Sequence, residues 1–265
     1  MRKLFLLFSL IIQVSTIYAQ DKVLTEHKQK GKLPPGTVWL RDSICIDQTE
    51  IRNLDYLEFV KWTQKNDPAM TSTIYPDTSV WTATSELVMP DYYFQHPALK
   101  EYPVVGISYE QAVAFCKWRT ERVKEFIALS KQSIQERMGI RDFYYRLPTK
   151  EEWEYAATAG SQTPTRYGQP VINKKNVPTV FVAETKALYD GNKEIMETVP
   201  VKYQCPNRFN LYNMIGNVAE MVQEEGIAKG GSFHHTLGQS AITNDIIYRK
   251  PMEWLGFRCV CVFVK

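Results

Sequence analysis

Two histidines stand side by side, His234 and His235, in the stretch AKGGSFHHTLGQSA from Ala228 to Ala241, just after a Gly-Gly-Ser turn ending at Ser232. Imidazole binds copper, zinc and iron and exchanges a proton near neutral pH. Adjacent residues on a strand project to opposite faces, however, so the two rings do not converge naturally on one ion. The other histidines, His27 and His96, have no motif around them. Ser232 follows two glycines as a nucleophile on an elbow would, but no His–Asp pattern accompanies it, so it reads as a structural turn. No GxSxG, Walker loop, dinucleotide fingerprint or HExxH helix is present. The carboxylates of TKEEWEYAA, Glu151, Glu152 and Glu154, have the residue type for acid–base work. Thr149 and Glu152 have capping-box spacing, and a cap plus a solvated helix face accounts for all three more cheaply.

Cysteine supplies the other reactive groups: Cys45, Cys116, Cys205, Cys259 and Cys261. An odd number leaves at least one thiol free or paired outside the chain, and the absence of CxxC argues against a zinc site. Arg2 and Lys3 precede an apolar run from Leu4 to Val14 and a small residue at Ala19, the order of a secretory signal peptide over residues 1–20. Ser9 and Gln13 interrupt that run, which is short for a membrane span. Export places the protein in the periplasm or at the outer membrane, where disulfides are allowed. A lipid anchor would need a cysteine just after the cleavage point, and the first one is Cys45, so none is expected. Hydrophobic residues at 44% and aromatics at 12% suffice for a substantial core. A net charge of +3 without a basic run gives nucleic acid no obvious footprint.

The elements that must position these groups follow from local pattern. Residues 21–36 are polar and end in Pro34, Pro35 and Gly36, an extended lead-in to a single domain over 37–265. TVWLRDSICIDQTEI alternates as strands do. Asn53 is placed to cap a helix through LDYLEFVKWTQ with Leu54, Leu57 and Val60 inward. From Asn66 to Pro103 no period is visible; Trp81, Tyr92, Tyr93 and Phe94 either pack this segment onto the core or present it to a partner. Ser108 and Gln111 form a capping box ahead of a helix whose run Ala112, Phe115, Cys116, Val123, Phe126 and Ile127 has helical spacing. A second helix starts at the Thr149 cap and ends at Gly160. Short strands and loops are expected from Ser161 to Tyr203, and a final strand in GFRCVCVFVK.

Six blocks now stand in one order: IDQTEIRNLDYLEFVKW, YPVVGISYEQAVAFCKWR, YRLPTKEEWEYAA, NLYNMIGNVAEM, KGGSF and GFRC. Together they resemble the formylglycine-generating enzyme family, also called the sulfatase-modifying-factor family. The resemblance implies a single irregular α+β domain, C-type-lectin-like, with little regular secondary structure. Within the family, the stretch from Asp77 to Thr120 is most similar to the gliding-motility and type IX secretion lipoproteins that carry this domain, although the lipobox is missing here.

Enzymes of the family oxidise a sulfatase cysteine to formylglycine with oxygen and copper(I), held by two cysteines after the Gly-Gly-Ser block. Counting from Ser232 puts His235 and Ser240 at those positions, and neither is a thiol. Thiolate is the soft donor that suits copper(I), so no copper is expected. The family's GNVWEW block reads GNVAEM, with Ala219 and Met221. The resemblance also implies calcium at Asn213, Gly216, Val218 and Glu220, with side-chain oxygens from the first and last and carbonyls from the other two. It gives no convincing second calcium site between Lys174 and Val199. It further implies a disulfide from Cys116 to Cys259, with Cys261 a rival because it shares a face with Cys259. Cys45 and Cys205 are left as one further pairing. The functional expectation is a non-catalytic envelope module whose partners are protein components of secretion or motility machinery. The alternative is an oxidoreductase of the same fold with altered metal chemistry.

Overall fold

In the computed structural model, the residues described are 33–81, 91–131, 133–161, 166–168, 171, 179–185 and 198–264. The predicted leader, most of the lead-in and most of the segment expected to hold short strands from Ser161 to Tyr203 lie outside them, as does most of the stretch from Lys174 to Val199.

The first alternating run resolves into two strands, β1 (Thr37–Arg41) and β2 (Ile44–Asp47), reversed at Asp42, whose φ of 50° an aspartate tolerates. The chain's last strand, β8 (Val260–Val264), lies beside β2, and β3 (Asp142–Arg146) lies beside β8, giving an antiparallel sheet in the order β1-β2-β8-β3. Strand alternation divides its residues between two cores. Cys45, Phe143, Tyr145, Cys261 and Phe263 join one, whereas Leu40, Ile46 and Val260 join the other.

Helix α1 (Asn53–Asn66) corrects one expectation. Its cap is Arg52, whose backbone N–H donates to the Asp55 carboxylate at 3.1 Å. Asn53 is instead the first helical residue, and its buried amide donates to the carbonyls of Tyr93 (2.9 Å) and Leu99 (3.0 Å). Its inward stripe is Tyr56, Phe59, Val60 and Thr63, so Leu54 and Leu57 are only half-buried. Between Pro68 and Leu99 the described residues form 3-10 turns and two four-residue helices, α2 (Thr71–Ile74) and α3 (Tyr92–Gln95). Trp81, Tyr93 and Phe94 are buried and pin this segment down, while Tyr92 is exposed and stacks on His96.

Helix α4 (Tyr109–Leu129) starts with the expected box, Ser108 N–H donating to Gln111 Oε1 at 2.8 Å and Gln111 N–H to Ser108 Oγ at 3.3 Å. It buries Ala112, Phe115, Cys116, Thr120 and Ile127, Phe115 packing against Tyr56 and Phe59 of α1 and Thr120 Oγ1 accepting from the Tyr145 N–H of β3, and Arg119 grips Asp47 of β2 with two bonds of 2.7 and 2.8 Å. Phe126, expected inside, is 55% exposed, whereas its neighbour Ile127 is buried; the Phe126 ring lies under the Arg137 guanidinium of the short helix that follows. A short helix that was not expected, α5 (Ile134–Met138), has its own box in Ser133 and Glu136 and stops at left-handed Gly139.

Helix α6 (Lys150–Ala157) is capped by Thr149 as expected, and Ala159 and Gly160 follow it with φ of 50° and 66°. Glu152 does more than cap: Arg146 holds it with bonds of 2.6 and 2.7 Å. Burial opposes its charge, but Arg146 and the Thr149 N–H outweigh burial and hold its carboxyl below the usual range. A second sheet, in the order β6-β5-β4-β7, comprises β4 (Ala219–Met221), β5 (Ile227–Lys229), β6 (Ile246–Ile247) and β7 (Leu255–Gly256). Among the described residues no helix is long and apolar enough to cross a membrane.

Candidate functional site

Strand β5 delivers Lys229 into the interior, where its ammonium lies 2.7 Å from Glu154 and 3.1 Å from Asp245. The chain then turns through Gly230 and Gly231, at φ of 85° and 72°. A Cβ on Gly230 would come within 2.9 Å of the Trp153 ring, and one on Gly231 within 1.9 Å of Ser240 Oγ. Both positions therefore require glycine on two counts, backbone conformation and space.

Ser232 is fully buried, and its hydroxyl accepts from the His234 N–H (3.1 Å) and lies 2.7 Å from His235 Nδ1. The His235 ring stands edge-on to Trp254, with centroids 4.9 Å apart. Burial first, and the neighbouring His234 second, keep the His235 pKa below its ordinary value. The second imidazole goes elsewhere: His234 Nε2 is 3.0 Å from Glu253 Oε1. The rings thus diverge, but not through strand alternation: residues 232–235 form a turn, closed by the His235 N–H donating to the Ser232 carbonyl at 3.0 Å. Ser240 is buried against Gly231, and its hydroxyl donates to the Thr236 carbonyl at 2.9 Å. Among the described residues no three His, Cys, Asp or Glu side chains are grouped so as to hold a metal ion.

Beneath this turn is a charge cluster that the sequence did not reveal. Arg258 is fully buried and forks onto Glu220, with Nε at 2.6 Å and Nη2 at 2.5 Å, and it donates to the carbonyls of Asp47 (3.1 Å) and Tyr212 (2.8 Å). The Trp153 indole also donates to Glu220, at 2.7 Å. Beside them Glu50 accepts from the side-chain amides of Asn213 (3.2 Å) and Asn217 (2.9 Å). Burial pushes the Glu50 carboxyl up to about 8, with Arg258 opposing the rise and Glu220 adding to it. The sequence signal for Glu50 is weak: a lone carboxylate inside an alternating apolar run, IDQTEI. Nothing local marks Arg258 or Asn217.

Of the expected calcium residues, Asn213, Gly216 and Val218 lie in the turn leading into β4 and Glu220 lies within that strand. Asn213 sits at φ 50° and Gly216 at φ 86°, where a Cβ would strike the Phe181 carbonyl. Asn213 Oδ1 is buried and has no hydrogen-bond partner. Glu220 Oε1 takes a single hydrogen bond, so one lone pair remains. The orphaned Asn213 oxygen and the remaining lone pair on Glu220 Oε1 are oxygen donors of the kind a hard cation takes, although Arg258 already neutralises the Glu220 charge.

Cys116 Sγ and Cys259 Sγ lie 3.5 Å apart in the core. Cys45 is buried on β2, and Cys205 is exposed. Two clefts open near α4, of about 700 Å³ beside Tyr109, Trp118 and Tyr144 and about 400 Å³ beside Arg52, Glu101 and Arg119; neither is lined by His235 or Ser240.

The fold defines a class before any sequence is compared. Treponema denticola variable protein 1 superposes with a TM-score of 0.51 over 88% of this chain and 93% of its own, at 15% identity. CarF does so with 0.51 over 88% and 95%, at 18% identity. The family model for the sulfatase-modifying factor enzyme 1-like domain matches residues 13–262, and the chain belongs to that family. The formylglycine-generating enzyme of Bos taurus is 23% identical over 74% of this chain and 52% of its own length. That of Thermomonospora curvata is 25% identical over 72% and 63%. The inactive C-alpha-formylglycine-generating enzyme 2 of Mus musculus is 25% identical over 81% and 74%. The chain thus spans between half and two thirds of the length of the first two relatives.

Proposed function

We propose that this chain is a pseudoenzyme of its family: a non-catalytic binding or scaffolding component of the cell envelope, working with protein partners of gliding motility or type IX secretion. One observation bears the weight. The residues at the two copper-ligand positions are both engaged in the turn itself, His235 with Ser232 and Ser240 with the Thr236 carbonyl against Gly231. A hydroxyl and an imidazole in place of two thiolates do not make a soft site for copper(I). The likeness to relatives named inactive supports the same view. The envelope setting rests on the predicted leader and on the resemblance of the stretch from Asp77 to Thr120. A partner surface within 66–103 reduces to Tyr92 among the four aromatics considered, because the other three are buried.

The test is to incubate the purified chain with a cysteine-containing sulfatase peptide and copper(I) in air and to trap carbonyls with a hydrazide. No aldehyde is expected; aldehyde formation overturns the non-catalytic assignment. Cross-linking in the native envelope tests the second half, where links to other envelope proteins are expected and an unlinked monomer would refute the scaffold.

Calcium belongs to this proposal as a structural ion, held by Asn213 and Glu220 with carbonyls of Gly216 and Val218. It would give Asn213 Oδ1 the partner it lacks, beside a Glu220 already paired with Arg258. Thermal unfolding in millimolar calcium against a chelator is expected to separate by several degrees, since calcium at 100 times its Kd adds about 2.7 kcal/mol. Coincident curves would remove calcium from the account.

A further inference from the structure

We propose that Cys45 and Cys261 are joined by a cross-strand disulfide between β2 and β8, alongside the Cys116–Cys259 pair, which leaves Cys205 as the accessible thiol.

The register places them. Cys45 faces Cys261 directly, between the pairs Ile44–Val262 and Ile46–Val260. Residues opposed in this way put their side chains on the same face of the sheet, and both cysteines are fully buried in the core under α4. The Asp47 N–H donates to the Cys259 carbonyl at 2.9 Å, and the Phe263 N–H to the Ser43 carbonyl at 2.7 Å. Hydrogen-bonded pairs recur every second residue, so Cys45–Cys261 is itself such a pair, with Cα atoms about 5.5 Å apart. That spacing lies inside the Cα window of roughly 4.4–6.8 Å for a disulfide, while the Cβ atoms, about 5.5 Å apart in such a pair, must draw in to about 4.5 Å as the bond forms. The other side of Cys261 is taken by Tyr145 on β3, and Cys116 already meets Cys259 with sulfurs 3.5 Å apart. Cys205 is exposed, whereas Cys45 is inside the sheet, so the register favours Cys261 over Cys205 as its partner.

Closing the bond removes one hydrogen from each thiol. The two electrons and two protons pass to a disulfide-bearing oxidant such as glutathione disulfide, which leaves as two thiols. Burial has a kinetic consequence. It pushes the Cys45 thiol up to about 12 and raises that of Cys261 as well, so the folded, reduced protein offers almost no thiolate for exchange. The bond must therefore form before the sheet closes.

The experiment uses the full chain, reduced and denatured, then refolded in a glutathione redox buffer, alkylated in denaturant and mapped without reduction. Linked peptides Cys45–Cys261 and Cys116–Cys259 are expected, with label at Cys205. Label at both Cys45 and Cys261, or a Cys45–Cys205 or Cys116–Cys261 peptide, overturns the proposal. The Cys205→Ser chain is expected to give the same two linked peptides, and loss of the Cys45 link in it refutes the pairing. In a second arm the chain is refolded under reductant and then exposed to glutathione disulfide. Cys205 is expected to react at least 100-fold faster than Cys45; comparable rates refute the order of events.

Discussion

The Arg258→Met variant is expected to lose about 3–5 kcal/mol of stability, the cost of stripping one partner from a buried ion pair. The guanidinium satisfies four acceptors at once: both oxygens of Glu220 and the carbonyls of Asp47 and Tyr212. Burial works against its charge, but Glu220 and then Glu50 hold it protonated. Methionine fills similar volume and donates nothing, so the buried Glu220 carboxylate loses the only cation bonded to it among the described residues, while Glu50, pushed up to about 8, is largely neutral at pH 7. Equilibrium urea unfolding reads the loss as a lower midpoint at unchanged slope. The double variant Arg258→Met with Glu220→Gln is expected to recover a large part of it, because removing both charges also removes the unpaired one. If the single variant unfolds within 1 kcal/mol of the parent, the cluster does not hold the domain together.

That cluster also marks where the sequence stops being legible. Helix caps are local, so Ser108 with Gln111 and Thr149 with Glu152 name their helices within four residues, and the same signal in Ser133 and Glu136 was available for the short helix before β3. The cluster's partners are 38 to 211 residues apart, from Glu220 with Arg258 to Asp47 with Arg258, and no periodicity links them. Asn53 shows how a local rule is overridden. Asparagine before an apolar run suits a cap, but two carbonyls of the 66–103 segment take its amide and the cap passes to Arg52. Phe126 failed for another reason: helical spacing put both Phe126 and Ile127 on the inner face, but only Ile127 is buried, and Phe126 takes the Arg137 guanidinium over its ring instead.

The candidate site was legible in a different sense. The Gly-Gly-Ser block and the count from Ser232 located His235 and Ser240; the two rings do diverge, but in a turn over residues 232–235 rather than by the strand alternation expected. Their partners were not legible, since His234 reaches Glu253 and His235 meets Trp254, both from the segment just before β7. A turn whose hydroxyl, imidazole and glycines are each fastened to one another is stiff, which suits a frame better than a reacting pocket.

Replacing Gly231 with alanine is expected to cost about 3 kcal/mol, in two separable parts. A left-handed φ of 72° penalises any residue with a Cβ by about 1–2 kcal/mol. The rest is collision, because the new methyl would fall 1.9 Å from Ser240 Oγ and 2.5 Å from its Cβ. Ser240 cannot swing aside cheaply: its hydroxyl is tied to the Thr236 carbonyl and its N–H to the same oxygen. A double-mutant cycle with Ser240→Gly separates the parts. Removing the hydroxymethyl group leaves the backbone penalty and relieves most of the clash, so the coupling between the two positions should be about 1–2 kcal/mol, with Gly231→Ala milder in the Ser240→Gly background. Additive losses would mean that residue 240 moves away freely and that the clash does not contribute to the cost.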